Sequence, residues 1–158
     1  MAALIACSGS SVEDKLVDEH LQANQQLWDQ WTIEHERSPC YDVAGFKSGK
    51  DRLRSIELSE LGDVSGKSLL HLQCHFGMDT LAWARRGARV TGVDLSEKSI
   101  ALARSLSQAL NLPAEFVCST LTNSRPHYRE NSTLFSLHMV SCTGSEIYNP
   151  GATSSRIS

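Results

Sequence analysis

Apolar positions along the chain fall into two regimes. From Val12 to about Glu36, Leu16, Leu27, Trp28 and Trp31 stand among polar residues, the pattern of an amphipathic helix. Ser38-Pro39 stops it, because the residue before a proline is pushed out of the α region. Tyr41-Asp42-Val43-Ala44-Gly45-Phe46 then reads as a loop with two aromatic anchors. A short helix is predicted over about Asp51 to Leu61, with Leu53, Ile56 and Leu61 apolar and Gly62 as its C-terminal stop.

From Ser68 the pattern changes. Ser68 to Cys74 is a short, mostly apolar run bounded by Gly66-Lys67 and Gly77, the signature of a buried strand. Asp79 to Arg86 reads as a helix closed by Gly87, and Ala88 to Val93 as a second strand ending at Asp94. Ser96 can cap a helix through Leu110 that turns Ile100, Ala103, Leu106 and Leu110 inward. Asn111-Leu112-Pro113 ends that helix, and Ala114 to Cys118 is a third strand. Strands and helices alternating at this spacing predict an α/β fold with parallel pairing and right-handed crossovers.

Composition adds little that is specific. A hydrophobic share of 41%, a charged share of 21% and a net charge of -3 fit one globular domain, with no basic surface for nucleic acid or an anionic membrane. No apolar run approaches the roughly 20 residues that span a bilayer. Leu4-Ile5-Ala6-Cys7 looks like a lipoprotein cleavage box, but the basic region and the apolar stretch of about 7–15 residues that a signal needs are missing before it. This start is therefore expected to be a disordered leader, taken as residues 1–23, or to follow from a start codon placed too early. Cys7, Cys40, Cys74, Cys118 and Cys142 are scattered without a C-x-x-C pair, which fits reduced thiols and a cytoplasmic location.

Ligands of open α/β sheets bind at the carboxyl ends of the strands. The loop Gln73-Cys74-His75-Phe76-Gly77 and the acid Asp94 occupy two such ends. A carboxylate there can accept from both hydroxyls of a ribose, which serves any adenosine cofactor. A dinucleotide pyrophosphate needs G-x-G-x-x-G so that backbone N–H groups can approach it closely. Gln73 and His75 stand where glycines would be wanted, and this disfavours NAD. On a strand, His71, Gln73 and His75 would share one face with Cys74 on the other, so they would not converge on a metal. Trp28 and Trp31 are expected to face the core.

The segment Leu69 to Ser96, LLHLQCHFGMDTLAWARRGARVTGVDLS, resembles a subgroup of class I S-adenosylmethionine (SAM)-dependent methyltransferases that carries L-Q-C-H-F-G in motif I. The common form of that motif is V-L-D-L-G-C-G-x-G; here His71 replaces the acid, Gln73 and His75 replace glycines, and Cys74 and Gly77 stay. NQQLWDQWTIEHERSPCYDVAGF, from Asn24 to Phe46, resembles the opening of the same subgroup. The resemblance covers about Asn24 to Ser119. It implies a Rossmann-like methyltransferase fold, here incomplete, with about three parallel strands and an N-terminal helical lid. It further implies that Gln73, Cys74, His75 and Gly77 pass under the methionine part of SAM, that Asp94 binds the ribose with Leu95 beside the adenine, and that Tyr41 and Phe46 lie in the lid. The implied reaction is in-line attack of a small-molecule acceptor on the sulfonium methyl, driven by alignment and exclusion of water. The acceptor, a general base and the oligomeric state are not legible.

Thr120 to Ser158 is rich in Ser, Thr, Asn, Pro and Arg, with no sustained period, and is expected to be a disordered tail outside the family pattern. Joining the last base of each codon to the first two of the next gives, from Asn131-Ser132 onward, an allowed reading FDIVFTSYGVLYWLRDLQPWGDIIAHF. That peptide, absent from this chain, resembles the family's fourth strand and following helix. The expectation is a frameshift near Ser119. The competing expectations are a non-catalytic SAM-fold fragment or pseudoenzyme, and a nicotinamide-dependent oxidoreductase.

Overall fold

In the computed structural model, residues 12–120 and 133–136 are described, with side chains from Leu16 to Thr120. A long helix α1 (Val12–Arg37) leads the fold. It is helical from Val12, inside the stretch expected to be a disordered leader, so that expectation fails at least from Val12 onward. Two short helices follow, α2 (Val43–Lys47) and α3 (Ser55–Leu61). Then come β1 (Ser68–Leu72), α4 (Met78–Arg85), β2 (Arg89–Asp94), α5 (Glu97–Ala109), β3 (Ala114–Cys118) and β4 (Thr133–Ser136).

The four strands form one parallel sheet in the order β3-β2-β1-β4. β1 aligns Ser68 with Arg89 and Leu72 with Val93 on β2; on its other side Leu69 aligns with Thr133 and Leu72 with Ser136. The α/β class and parallel pairing are as expected, and the fourth strand is an addition. It falls in the tail expected to be disordered; the rest of that tail, 121–132 and 137–158, lies outside the described residues. The chain runs outward from β1 to β3, then returns to the far side of β1. Strand order therefore reverses at β1, which creates a switch point there.

Local chemistry explains the element boundaries. Ser96 caps α5, its hydroxyl accepting from Ser99 N–H at 3.0 Å, and Ile100, Ala103 and Leu106 are buried beneath it. Gly62 ends α3 and Gly87 follows α4 with positive φ, as expected of helix stops. Glu57 accepts from Arg54 N–H at 2.6 Å and fixes the start of α3 at Ser55, four residues later than the pattern predicts. Tyr41 to Phe46 is not all loop: Asp42 accepts from Gly45 N–H at 3.0 Å and starts α2.

The core gathers Leu69, Leu81, Trp83, Val90, Ile100, Leu106 and Phe116 between the sheet and its helices. α1 docks differently from expectation. Leu16, Leu27 and Trp31 are exposed, and Trp31 at 41% does not face the core. A polar row does the docking instead: Asp29 accepts from Ser96 Oγ and Lys98 N–H, and Thr32 meets Ser99. Cys74 and Cys118 are free thiols, and Cys40 is disulfide-bonded. The expectation of five reduced thiols therefore fails at Cys40, because sequence spacing does not report which thiols folding brings together.

Candidate functional site

The loop after β1 is built from left-handed backbone. Gln73 (φ 56°), His75 (φ 51°) and Gly77 (φ 72°) alternate with Cys74 and Phe76. Side-chain alternation stops at Leu72, so His71 and His75 reach different partners: His71 Nδ1 lies 2.6 Å from Thr80 Oγ1, and His75 faces α1 and α5. Cys74 N–H donates to Val93 C=O and Gly77 N–H to Cys74 C=O, which ties the loop to β2 and folds it into the start of α4. Cys74 is buried, and burial pushes its thiol well above the ordinary range, so it stays protonated. Gly77 is required on two counts. Its φ is positive, and a Cβ there would lie 2.5 Å from Phe116 Cε1.

Asp94 closes the other side. Its Oδ2 accepts from His75 N–H at 2.7 Å and its Oδ1 from Ser96 N–H at 2.9 Å, which joins the loop to the N-terminus of α5. Burial raises its pKa against the lowering effect of those N–H donors. The backbone N–H of Leu95 also bonds this carboxylate, and of its roughly four acceptor sites one is left for a further donor. Leu95 sits half-buried beside it, its C=O facing Cys118 Sγ at 3.4 Å.

An aromatic wall stands over the loop. Tyr41 is buried, stacked on His35 at 4.7 Å between centroids and tilted against Phe76 at 5.1 Å. Arg52 donates to Tyr41 C=O at 3.1 Å and places its Nε 3.5 Å from Asp79 Oδ1. That Nε is buried without a hydrogen-bond partner among the described residues. Burial raises the Asp79 carboxyl, with Arg52 opposing it. Tyr41, Arg52, Cys74, His75, Gly77 and Asp79 line a cleft of about 30 Å³, the room of roughly one water.

Of the eight expected site residues, Tyr41, Cys74, His75 and Gly77 line this cleft; Gln73 lies in the same loop, and Asp94 is tied to it through His75 N–H. Leu95 adjoins Asp94. Phe46 does not join them; it is fully buried, with Arg85 4.0 Å above its ring, and belongs to the core. The pattern did not single out Arg52, Asp79, His35, Thr32 or Ser99. Arg52 falls in a stretch that reads as helix but has no regular structure, and the other four look like ordinary polar positions on helix surfaces.

A family model described as a methyltransferase domain matches residues 69–148, half of the chain. The chain belongs to this methyltransferase-domain family. The match runs through β4 and past Ser119, so the family signal extends beyond the segment in which the sequence resemblance was expected to end. A ubiquinone biosynthesis O-methyltransferase of Chromobacterium violaceum is 28% identical over 109 residues, 69% of this chain and 43% of that protein. One from Pseudomonas aeruginosa is 35% identical over 74 residues, 47% of this chain and 29% of that protein. The chain thus spans less than half the length of these curated relatives. Among solved structures, a protein from a study of the conversion of a disulfide bond into a thioacetal group during echinomycin biosynthesis aligns with a TM-score of 0.54 at 24% identity, covering 73% of this chain and 47% of that one. A TehB-like SAM-dependent methyltransferase from Corynebacterium glutamicum aligns with a TM-score of 0.50 at 19% identity, covering 67% of this chain and 55% of that one. Both likenesses concern the fold. No helix among the described residues is long and apolar enough to cross a membrane.

Proposed function

We propose that this chain is the cofactor-binding part of a SAM-dependent methyltransferase that acts on a small-molecule acceptor in the cytoplasm. One observation carries it: at the switch point of a parallel sheet, the left-handed loop Gln73–Gly77 and the carboxylate of Asp94 are joined by the His75 N–H bond of 2.7 Å. SAM, when bound, supplies an electrophilic sulfonium methyl. The residues present fit such a ligand. Asp94 has acceptor capacity for a ribose hydroxyl, and Leu95 offers an apolar edge beside it. Arg52, whose Nε lies 3.5 Å from Asp79 Oδ1, brings a guanidinium to this cleft that is suited to the carboxylate of a methionine moiety. Tyr41 and α1 exclude water above the loop, the contribution that methyl transfer needs most from its enzyme. The cleft of about 30 Å³ has room for roughly one water, so an adenosine cofactor would enter with the wall above the loop opened.

A nicotinamide cofactor fits less well, because Gln73 and His75 carry side chains where a pyrophosphate needs glycine. A non-catalytic SAM-fold fragment is the competing reading, and SAM binding without turnover on any acceptor would distinguish it. We also propose the reading-frame shift near Ser119; its family-like fourth strand would begin at Asn131-Ser132, beside β4 at Thr133–Ser136. Isothermal titration with SAM and with NAD tests the function. Binding of SAM but not NAD, lost in Asp94→Ala, is expected; binding of NAD alone would overturn it.

A further inference from the structure

Two side-chain-bearing residues in the cofactor loop, Gln73 and His75, hold left-handed backbone, a conformation that L-residues rarely adopt. His75 is one of them, and both of its ring nitrogens are engaged. Nε2 lies 2.9 Å from His35 Nδ1, and Nδ1 lies 2.8 Å from Ser99 Oγ. Ser99 Oγ in turn lies 2.5 Å from Thr32 Oγ1, and Thr32 Oγ1 lies 2.8 Å from Trp28 C=O.

The proton positions along this row follow from its last member. A carbonyl only accepts, so the Thr32 hydroxyl donates to Trp28. The Ser99 hydroxyl must then donate to Thr32, because Thr32 has no second proton. With its own proton spent, Ser99 accepts from His75, which places a proton on His75 Nδ1. In the neutral ring Nε2 is then an acceptor, so His35 donates from Nδ1. The parallel contact of Ser96 does not disturb this order, because the Ser96 hydroxyl donates to Asp29 Oδ1 at 2.5 Å.

We infer that His35 and Thr32 of α1 are positioning residues that lock His75 as its Nδ1–H tautomer and so hold the cofactor loop in its left-handed shape. The consequence is a coupling: the loop that meets the ligand has its shape only while α1 is docked. Burial, with His35 adding to it, lowers the His75 pKa to about 3, so the ring is neutral near pH 7 as the proton order requires. Burial also lowers that of His35. The same residue carries the backbone N–H that reaches Asp94, so a turn of the His75 ring is felt at the ribose-binding acid. Isosteric loss at Thr32 breaks the order without removing bulk: Ser99 regains a free proton for His75 Nδ1, and His75 switches to Nε2–H.

The effect on ligand affinity rests on the proposed SAM site; the tautomer does not, and it can be read without any ligand. The test is imidazole nitrogen NMR of the 158-residue chain near pH 7. Nδ1–H signals are expected for both His35 and His75, a loss of the His75 Nδ1–H signal in Thr32→Val, and its return in Thr32→Ser. Should Thr32→Val fail to fold, the tautomers of His35 and His75 in the parent chain and in Thr32→Ser still test the proton order. A His75 Nε2–H signal in the parent chain, or an unchanged tautomer in folded Thr32→Val, would overturn the inference. Calorimetry on the same samples separates the two ideas. SAM binding weakened about fivefold in Thr32→Val, the worth of one hydrogen bond of about 1 kcal/mol, supports the coupling. Equal affinity in a variant whose tautomer has switched refutes the coupling. No SAM binding by the parent chain counts against the function alone.

Discussion

Gly77→Ala isolates the tightest point of the site. The methyl group would enter at φ 72° and sit 2.5 Å from Phe116 Cε1, 2.7 Å from Cζ and 3.1 Å from Ala103 Cβ. Phe116 is buried on β3 and Ala103 is buried on α5, so neither can move aside cheaply. The left-handed backbone costs about 1–2 kcal/mol and overpacking about 1–3 kcal/mol, for a total of about 2–5 kcal/mol. That is a large share of the roughly 5–15 kcal/mol that stabilises an ordinary domain. Urea unfolding followed by the fluorescence of Trp83, which is fully buried, measures it. Gly92→Ala serves as the control. Its Cβ would meet the same Phe116 ring at 2.7 Å, but no left-handed φ is involved, so only the overpacking part of about 1–3 kcal/mol should be lost. Phe116→Leu, by opening space, should recover part of the loss in either alanine variant. A Gly77→Ala chain within about 0.5 kcal/mol of the parent, the range of an ordinary surface change, would refute both the strain and the close approach.

Three other outcomes are expected. The folded pKa of His75, about 3, lies below its ordinary 6.5, so the unfolded chain takes up the proton first. His75 neutrality therefore contributes fully above about pH 6.5 and is lost as pH falls toward 3, by up to about 1.4 kcal/mol per pH unit. Asp79 and Asp94, raised by burial, act in the opposite direction, so the signature is a shallower acid slope in His75→Gln than in the parent chain. Arg52→Gln should weaken SAM and S-adenosylhomocysteine binding about tenfold while leaving adenosine binding unchanged, since adenosine lacks the carboxylate; equal loss for all three would refute that role. Resequencing the coding DNA across Val117 to Asn123 should reveal one missing or extra base, and an intact frame would remove the frameshift proposal.

The sheet was legible because its signals are local. β3 falls where the apolar run Ala114 to Cys118 places it, and Ser96 caps α5 as its type predicts. Gly77, which the family motif retains, is where the backbone needs it. What escaped depends on tertiary contact. β4 is four residues without alternation, and pairing with β1 makes it a strand. Phe46 looked like a lid aromatic in a loop, but the Asp42 cap turns that loop into α2 and drives the ring into the core under Arg85. α1 misled through its apolar residues. Leu16, Leu27 and Trp31 suggested the buried face, whereas the docked face is the polar row Asp29, Thr32 and His35, spaced three residues apart. Polar residues at helical spacing look like a solvated surface until the serines they meet on α5 are known.

The central claim is that the β1–α4 loop and Asp94 together receive an adenosine cofactor. A backbone amide NMR titration of the 158-residue chain with S-adenosylhomocysteine tests it most directly. The account predicts saturable shifts at Cys74, His75, Gly77, Asp94 and Leu95, abolished in Asp94→Ala. Shifts absent from these amides in a folded chain, or confined to another face of the sheet, would contradict it.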